Sequence, residues 1–258
     1  MRTLLLSCTT DSIIKAQCEP FSYLKKELQR ELGMTVKHIQ LEDSTQMEAA
    51  YQENEADMVF LLPLWRETPE QLEKVVKALR SHDSKRKLIF VDPFAQSTSY
   101  YFNLLPHVDW FLKRQRLKNA DEYQQNFMGG FQSLEFMAQT FDLDLNGWNV
   151  SSNVPEGYEN CITAGWSLGT AARFYKQLRQ PWFSFKSKPK KEVDLFCRLS
   201  LGSKKNQEWY CYYRKAAVDA VKPLETDYRV AASALYIEDG LIPKRQYQRE
   251  LKGSRIVF

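Results

Sequence analysis

The residues best suited to hold an anion stand together at Leu201-Gly202-Ser203-Lys204-Lys205, a turn between an alternating apolar run and a helical one. Gly202 lets a ligand approach the backbone, the following helix start offers unpaired N–H groups, and Lys204 and Lys205 add positive charge. Phosphate suits that combination, and two lysines in such a turn are equally what a solvated surface carries. Two aspartates are candidates for acid–base work. Asp92, in Val91-Asp92-Pro93-Phe94, is of the type to act as general base or to bind an acceptor hydroxyl, and an Asp before Pro is equally a turn former. Asp11, in Thr9-Thr10-Asp11-Ser12, has the same two readings. His38 falls in a strand, His82 at a helix end and His107 beside Pro106, positions that suit structural roles. No HExxH, Walker loop, GxGxxG or GxSxG occurs, so metalloprotease, P-loop NTPase, dehydrogenase and α/β-hydrolase readings lose support.

The elements that must position these residues alternate between strand and helix. Thr3–Cys8, Thr35–Leu41, Asp57–Leu62, Leu88–Val91 and Val108–Leu112 are short apolar or alternating runs. Between them lie helical patterns. Phe21, Leu24, Leu28 and Leu32 repeat before Gly33, Ser44 is placed to cap a run with Met47, Ala50 and Tyr51 inward, and Thr68-Pro69 opens a stripe of Leu72, Val75, Val76 and Leu79. A short helix is expected around Tyr101 to Leu105. Five such units predict an open, doubly wound α/β domain of the Rossmann-like kind. Ligands of such sheets bind outside the carboxyl ends of the strands. That nominates the loops Thr9–Ser12, Pro63–Arg66, Asp92–Ser99 and Lys113–Arg116, and after them Leu201–Lys205.

From Asn119 to Arg179 the pattern is irregular and aromatic, with Gly165-Trp166-Ser167-Leu168-Gly169 inside it, which suggests a functional surface. Residues 181–190, with Pro189 and several lysines, read as a linker between an N-terminal domain, 1–180, and a second α/β lobe, 191–258. In that lobe Glu192–Leu199, Arg229–Ile237 and Arg255–Phe258 are expected strands. Gln207–Lys222 is an expected helix with Trp209, Tyr213, Ala216, Ala217 and Ala220 inward, and Tyr247 and Leu251 mark a short one. The lobe reads as incomplete, cut within its sheet.

The chain has 258 residues and a net charge of +4, but residues 179–222 carry eleven Lys/Arg against four Asp/Glu. That local excess favours an anionic partner. Nucleic acid is the weaker choice because the aromatics are not interleaved with the lysines. Five scattered cysteines without CxxC spacing read as reduced, buried thiols, and no structural metal site is expected. No apolar run approaches the length of a spanning helix or a signal peptide, so a cytoplasmic protein is expected.

Val91-Asp92-Pro93-Phe94, Val108-Asp109-Trp110-Phe111-Leu112-Lys113-Arg114-Gln115 and the closing Tyr247…Leu251…Ser254-Arg255-Ile256-Val257 resemble segments of bacterial GT-B type glycosyltransferases. The resemblance implies transfer of a sugar from a nucleotide-sugar donor to a glycan or lipid-linked acceptor, without a bound metal or other cofactor. It assigns Gly202, Ser203, Lys204 and Lys205 to the donor diphosphate. It sets Thr10, Phe94, Lys113 and Trp166 on the acceptor side and makes Asp92 and Asp11 the catalytic candidates. The family's donor-site loop and its acidic residue are expected after Phe258, so the chain alone is expected to be inactive. The alternative is a non-catalytic α/β module that binds a ligand or partner.

Overall fold

The computed structural model describes residues 1–8, 12–125, 127–128, 132–142, 153–166, 190–202 and 209–257. It divides into two compact units, Met1–Phe136 with Asp144–Gln180, and Met137–Leu143 with Pro181–Phe258. Thr10, Asp11, Ser203, Lys204 and Lys205 lie outside the described residues.

The first unit is a six-stranded parallel sheet. Its strands are β1 (Arg2–Cys8), β2 (Thr35–Leu41), β3 (Met58–Leu62), β4 (Lys87–Val91), β5 (Trp110–Lys113) and β6 (Ile162–Ala164), in the order β2-β1-β3-β4-β5-β6. The chain leaves β1 for β2 on one side and returns to β3 on the other. The order therefore reverses between β1 and β3, which makes that edge the topological switch point. β1 is buried along almost its whole length because both faces are covered. Leu5 packs with Phe60, Leu62, Ile89 and Val91 against Ile14, Cys18 and Phe21 of helix α1 (Ser12–Tyr23). Leu4, Leu6 and Cys8 face the other way, toward α3 (Met47–Gln52) and α4 (Pro69–His82). Each large side chain so enclosed contributes about 1.5–3 kcal/mol.

Several expectations are refined here. The first helical run is two helices, α1 and α2 (Lys25–Leu32), joined at Leu24, and Gly33 ends the second in a left-handed conformation. Asp43, not Ser44, caps the next segment: its carboxylate accepts from the Thr45 N–H, and Ser44 is buried in a 3-10 turn. Thr68 caps α4 as expected, accepting from the Gln71 N–H at 3.2 Å. The short helix after β4 is a 3-10 segment, Phe102–His107. Strand β6 lies in the region that reads as irregular.

The second unit is a three-stranded parallel sheet, ordered β8-β7-β9, from β7 (Val193–Gly202), β8 (Val230–Tyr236) and β9 (Ser254–Val257). Its helices are α6 (Trp209–Val221) and α7 (Lys244–Lys252); α5 (Gln132–Phe141), earlier in the chain, is divided between the units after Phe136. The inward face of α6 differs from the expected one. Val218 and Val221 are buried against Leu195 and Cys197, and Cys211 is buried with its thiol donating to the Leu201 carbonyl, whereas Tyr213, Ala216 and Ala220 are exposed. The spacing of 211, 218 and 221 puts the branched side chains on the sheet, and the alanines fill the solvent face by helix propensity.

Candidate functional site

The carboxyl ends of β3, β4 and β5 carry the loops that matter. Asp92 is the first residue past β4 and extends the ladder, its N–H donating to the Leu112 carbonyl at 2.9 Å. Its side chain is fully enclosed, as is that of Lys113 on the neighbouring strand, and the two form an ion pair. The Lys113 ammonium also donates to the Thr98 carbonyl at 2.9 Å, while the second Asp92 oxygen accepts from the Phe94 N–H at 2.9 Å. Burial pushes Lys113 below the usual lysine range and Asp92 pulls the other way. Both oxygens of Asp92 are thus engaged in holding the β4 loop, with no exposed surface.

Around this buried knot lies a crevice of about 750 Å³. Trp65, Pro69, Pro93, Phe94 and Tyr100 wall it, with Ile13 at the start of α1 and the polar groups of Arg66, Glu67, Thr68, Gln96 and Arg114. Tyr101 fixes the β3 loop from beneath, its hydroxyl donating to the Glu67 carbonyl at 2.7 Å. The Glu67 carboxylate accepts from the Ser44 and Leu64 N–H groups, each at 3.2 Å. Arg66 stacks over the Trp65 ring at 4.9 Å. Phe94 meets Tyr100 edge to face, with ring centroids 5.4 Å apart.

Of the residues singled out by sequence, Asp92, Lys113 and Phe94 are brought together, but only Phe94 lines the crevice. Trp166 is half-buried on the α1 side of the sheet, its indole N–H donating to the Gln17 carbonyl at 3.0 Å and its ring packing on Phe21. The Gln17 amide in turn donates to the Asp92 carbonyl at 3.4 Å. Gly202 belongs to the second unit and has φ +78°, the left-handed conformation glycine permits, at the end of β7. Arg114, Trp65, Arg66, Glu67 and Tyr100 were not picked individually, although the strand-end rule nominates the loops that carry all but Glu67 and Tyr100.

Nucleophilic chemistry at Cys8 and Cys18 is disfavoured. Burial pushes the Cys8 thiol up to about 12, with nearby Glu67 adding to the effect, and pushes Cys18 up to about 11 against a hydrogen bond with Ser7. Among the described residues no group of three His, Cys, Asp or Glu side chains is placed to hold a metal ion. No described helix is long and apolar enough to cross a membrane.

No family model matches the chain, and no curated protein matches it. Several solved structures are distantly similar, among them the following two. LsrB from Clostridium saccharobutylicum in complex with AI-2 is 9% identical at a TM-score of 0.33, over 91% of this chain and 53% of that one. An alpha-glucosyltransferase (AGT) in complex with UDP is 9% identical at a TM-score of 0.40, over 99% of this chain and 72% of that one. The chain spans about half the length of LsrB. Neither likeness is close enough to assign a ligand.

Proposed function

We propose that the first unit is a ligand-binding lobe that takes a small ring-bearing molecule in the crevice beyond β3, β4 and β5. The observation that carries the reading is the crevice itself. It is an aromatic-walled cavity of about 750 Å³ beside the sheet's switch point, where open α/β sheets hold ligands. Binding without chemistry is the simpler form, because the enclosed Asp92 acts here as a positioning residue for the loop that carries Phe94.

Glycosyl transfer is the narrower form of the same reading. The crevice would then seat a glycan or lipid-linked acceptor against Trp65, Phe94 and Tyr100. The loop after β7, at Gly202, Ser203, Lys204 and Lys205, would meet the diphosphate of a nucleotide-sugar. Support for it comes from the resemblance of the closing segment and from the left-handed Gly202 at the mouth of that loop.

Thermal unfolding tests both forms. A ligand present at a hundred times its Kd stabilises by about 2.7 kcal/mol, which raises the melting temperature of a protein this size by roughly 5–10 °C. Uridine, UDP-sugars and GDP-sugars are expected to include at least one that does so, and Ala95→Trp, which fills the crevice, is expected to abolish the shift. No shift with any of them would defeat the proposal, and a shift that survives Ala95→Trp would move the site elsewhere.

A further inference from the structure

Two cations line the crevice: Arg66 is exposed and stacks on Trp65, whereas Arg114 is half-buried. It follows Lys113, so the alternation of β5 sends the two cations opposite ways: Lys113 into the sealed pair with Asp92, Arg114 to the crevice lining. Among the described residues no carboxylate lies within ion-pair distance of Arg114, and its enclosed Nε N–H has no hydrogen-bond partner. Asp92 is the acidic group that influences it, and Lys113 has already neutralised that group. Burial accordingly lowers the Arg114 guanidinium, with Asp92 only partly opposing. Glu67, the crevice's own carboxylate, turns Oε1 to the backbone N–H groups of Ser44 and Leu64, while its enclosed Oε2 has no hydrogen-bond partner and makes no ion pair with Arg114. A half-buried guanidinium without a counter-charge is costly to keep, and its fork of donors matches an oxyanion.

We infer that Arg114 anchors an oxyanion, a phosphate or carboxylate, borne by the ring compound that occupies the crevice. The inference rests on the ligand-binding reading above and narrows it to ring-bearing anions. The ring would lie on the walls formed by Trp65, Phe94 and Tyr100, and the anionic group would reach the Arg114 guanidinium. The charge supplied would replace the partner that the protein withholds.

The test uses the full chain and two matched pairs of probes, uridine with uridine monophosphate and benzyl alcohol with benzoate, titrated by calorimetry. The anionic member of at least one pair is expected to bind roughly tenfold or more tightly than its neutral partner, as a charge-assisted pair requires. The pair that shows the gap tells phosphate from carboxylate. Arg114→Gln is expected to close the gap to within about twofold, and Arg114→Lys to retain part of it. Equal binding within both pairs, or a gap that persists in Arg114→Gln, would overturn the anchor while leaving the crevice as a binding site. Failure of all four probes to bind would count against the crevice and the anchor together. Arg114→Gln should also fold without penalty, since it removes an unanswered charge. A fall of more than about 5 °C in its ligand-free melting temperature would show that the guanidinium serves the fold instead.

Discussion

Each unit contains a strand-borne ion pair, and the two pairs do different work. In the first unit Asp92 and Lys113 are both fully enclosed. In the second, Arg198 of β7 and Glu250 of α7 are 17% and 14% exposed and meet in a two-pronged contact, at 2.5 Å and 3.0 Å. The first unit's helices α1, α3 and α4 need no such staple, because apolar side chains hold them to both faces of the sheet. Its buried pair therefore secures a loop at the mouth of the crevice. Helix α7 has no buried residue. It is held by Arg198–Glu250 and by Tyr247, whose ring meets Phe196 edge to face at 5.2 Å. Where apolar packing suffices, charge is spent on shaping a site; where it is thin, charge attaches an element.

The sharpest break in that contrast is Lys113→Met. It strands the Asp92 carboxylate in a sealed position, and removing one partner of a buried pair costs about 3–5 kcal/mol. Adding Asp92→Asn should restore most of the loss, since the amide oxygen can still accept from Phe94 N–H and no charge remains. Chemical denaturation of the two variants and the parent decides it. A single variant that loses less than about 1 kcal/mol would mean that the pair is solvated, as surface pairs are.

In the second unit the corresponding change is smaller. Glu250→Gln should cost about 1.5–3 kcal/mol at neutral pH, the range for a charge-assisted hydrogen bond, with the low end favoured by its partial exposure. Burial alone would raise the Glu250 carboxyl, but the hydrogen bonds from Arg198 and Gln246 outweigh it and hold it below the usual glutamate range. A carboxyl depressed on folding stabilises fully above its unfolded value, near pH 4.3, and loses that contribution as pH falls through the folded value. The difference in stability between parent and Glu250→Gln should therefore be flat from pH 7 to about 5 and shrink below that. A difference that grows with acid would refute the assignment.

What could be read in advance follows the same physical divide. Parallel strands buried on both faces announce themselves as apolar runs, so β1, β3, β4 and the loops at their carboxyl ends were legible, while the edge strand β2, with no buried residue, showed by its alternation. Which neighbour of a Lys-Arg pair turns inward depends on a one-residue alternation in a four-residue strand, so Arg114 was not. Strand β6 is three residues long and only Ile162 is buried, too little pattern to see. On α6 the alanines suggested a face that Cys211, Val218 and Val221 in fact supply. Asp109, quoted for its resemblance to a family segment, has a local explanation: its carboxylate binds Arg80 and Lys87, each at 2.7 Å, and the Leu88 N–H at 2.9 Å. Trp166 contacts Gln17 across 149 residues of sequence, a pairing that no local signal reveals.

The smallest expected effect isolates backbone from packing in the first unit. Gly33 closes α2 at φ +60° and ψ +22°, its N–H donating to the Gln29 carbonyl at 3.0 Å, and a Cβ there would meet nothing within 4 Å. Any loss in Gly33→Ala is therefore the cost of the left-handed conformation alone, about 1 kcal/mol. Asn adopts that conformation more readily than Ala, so Gly33→Asn should lose roughly half as much or less. Equal losses for the two variants would mean that the helix end shifts to relieve the strain, and that the turn from α2 into β2 is less firmly set than the sheet on which it lands.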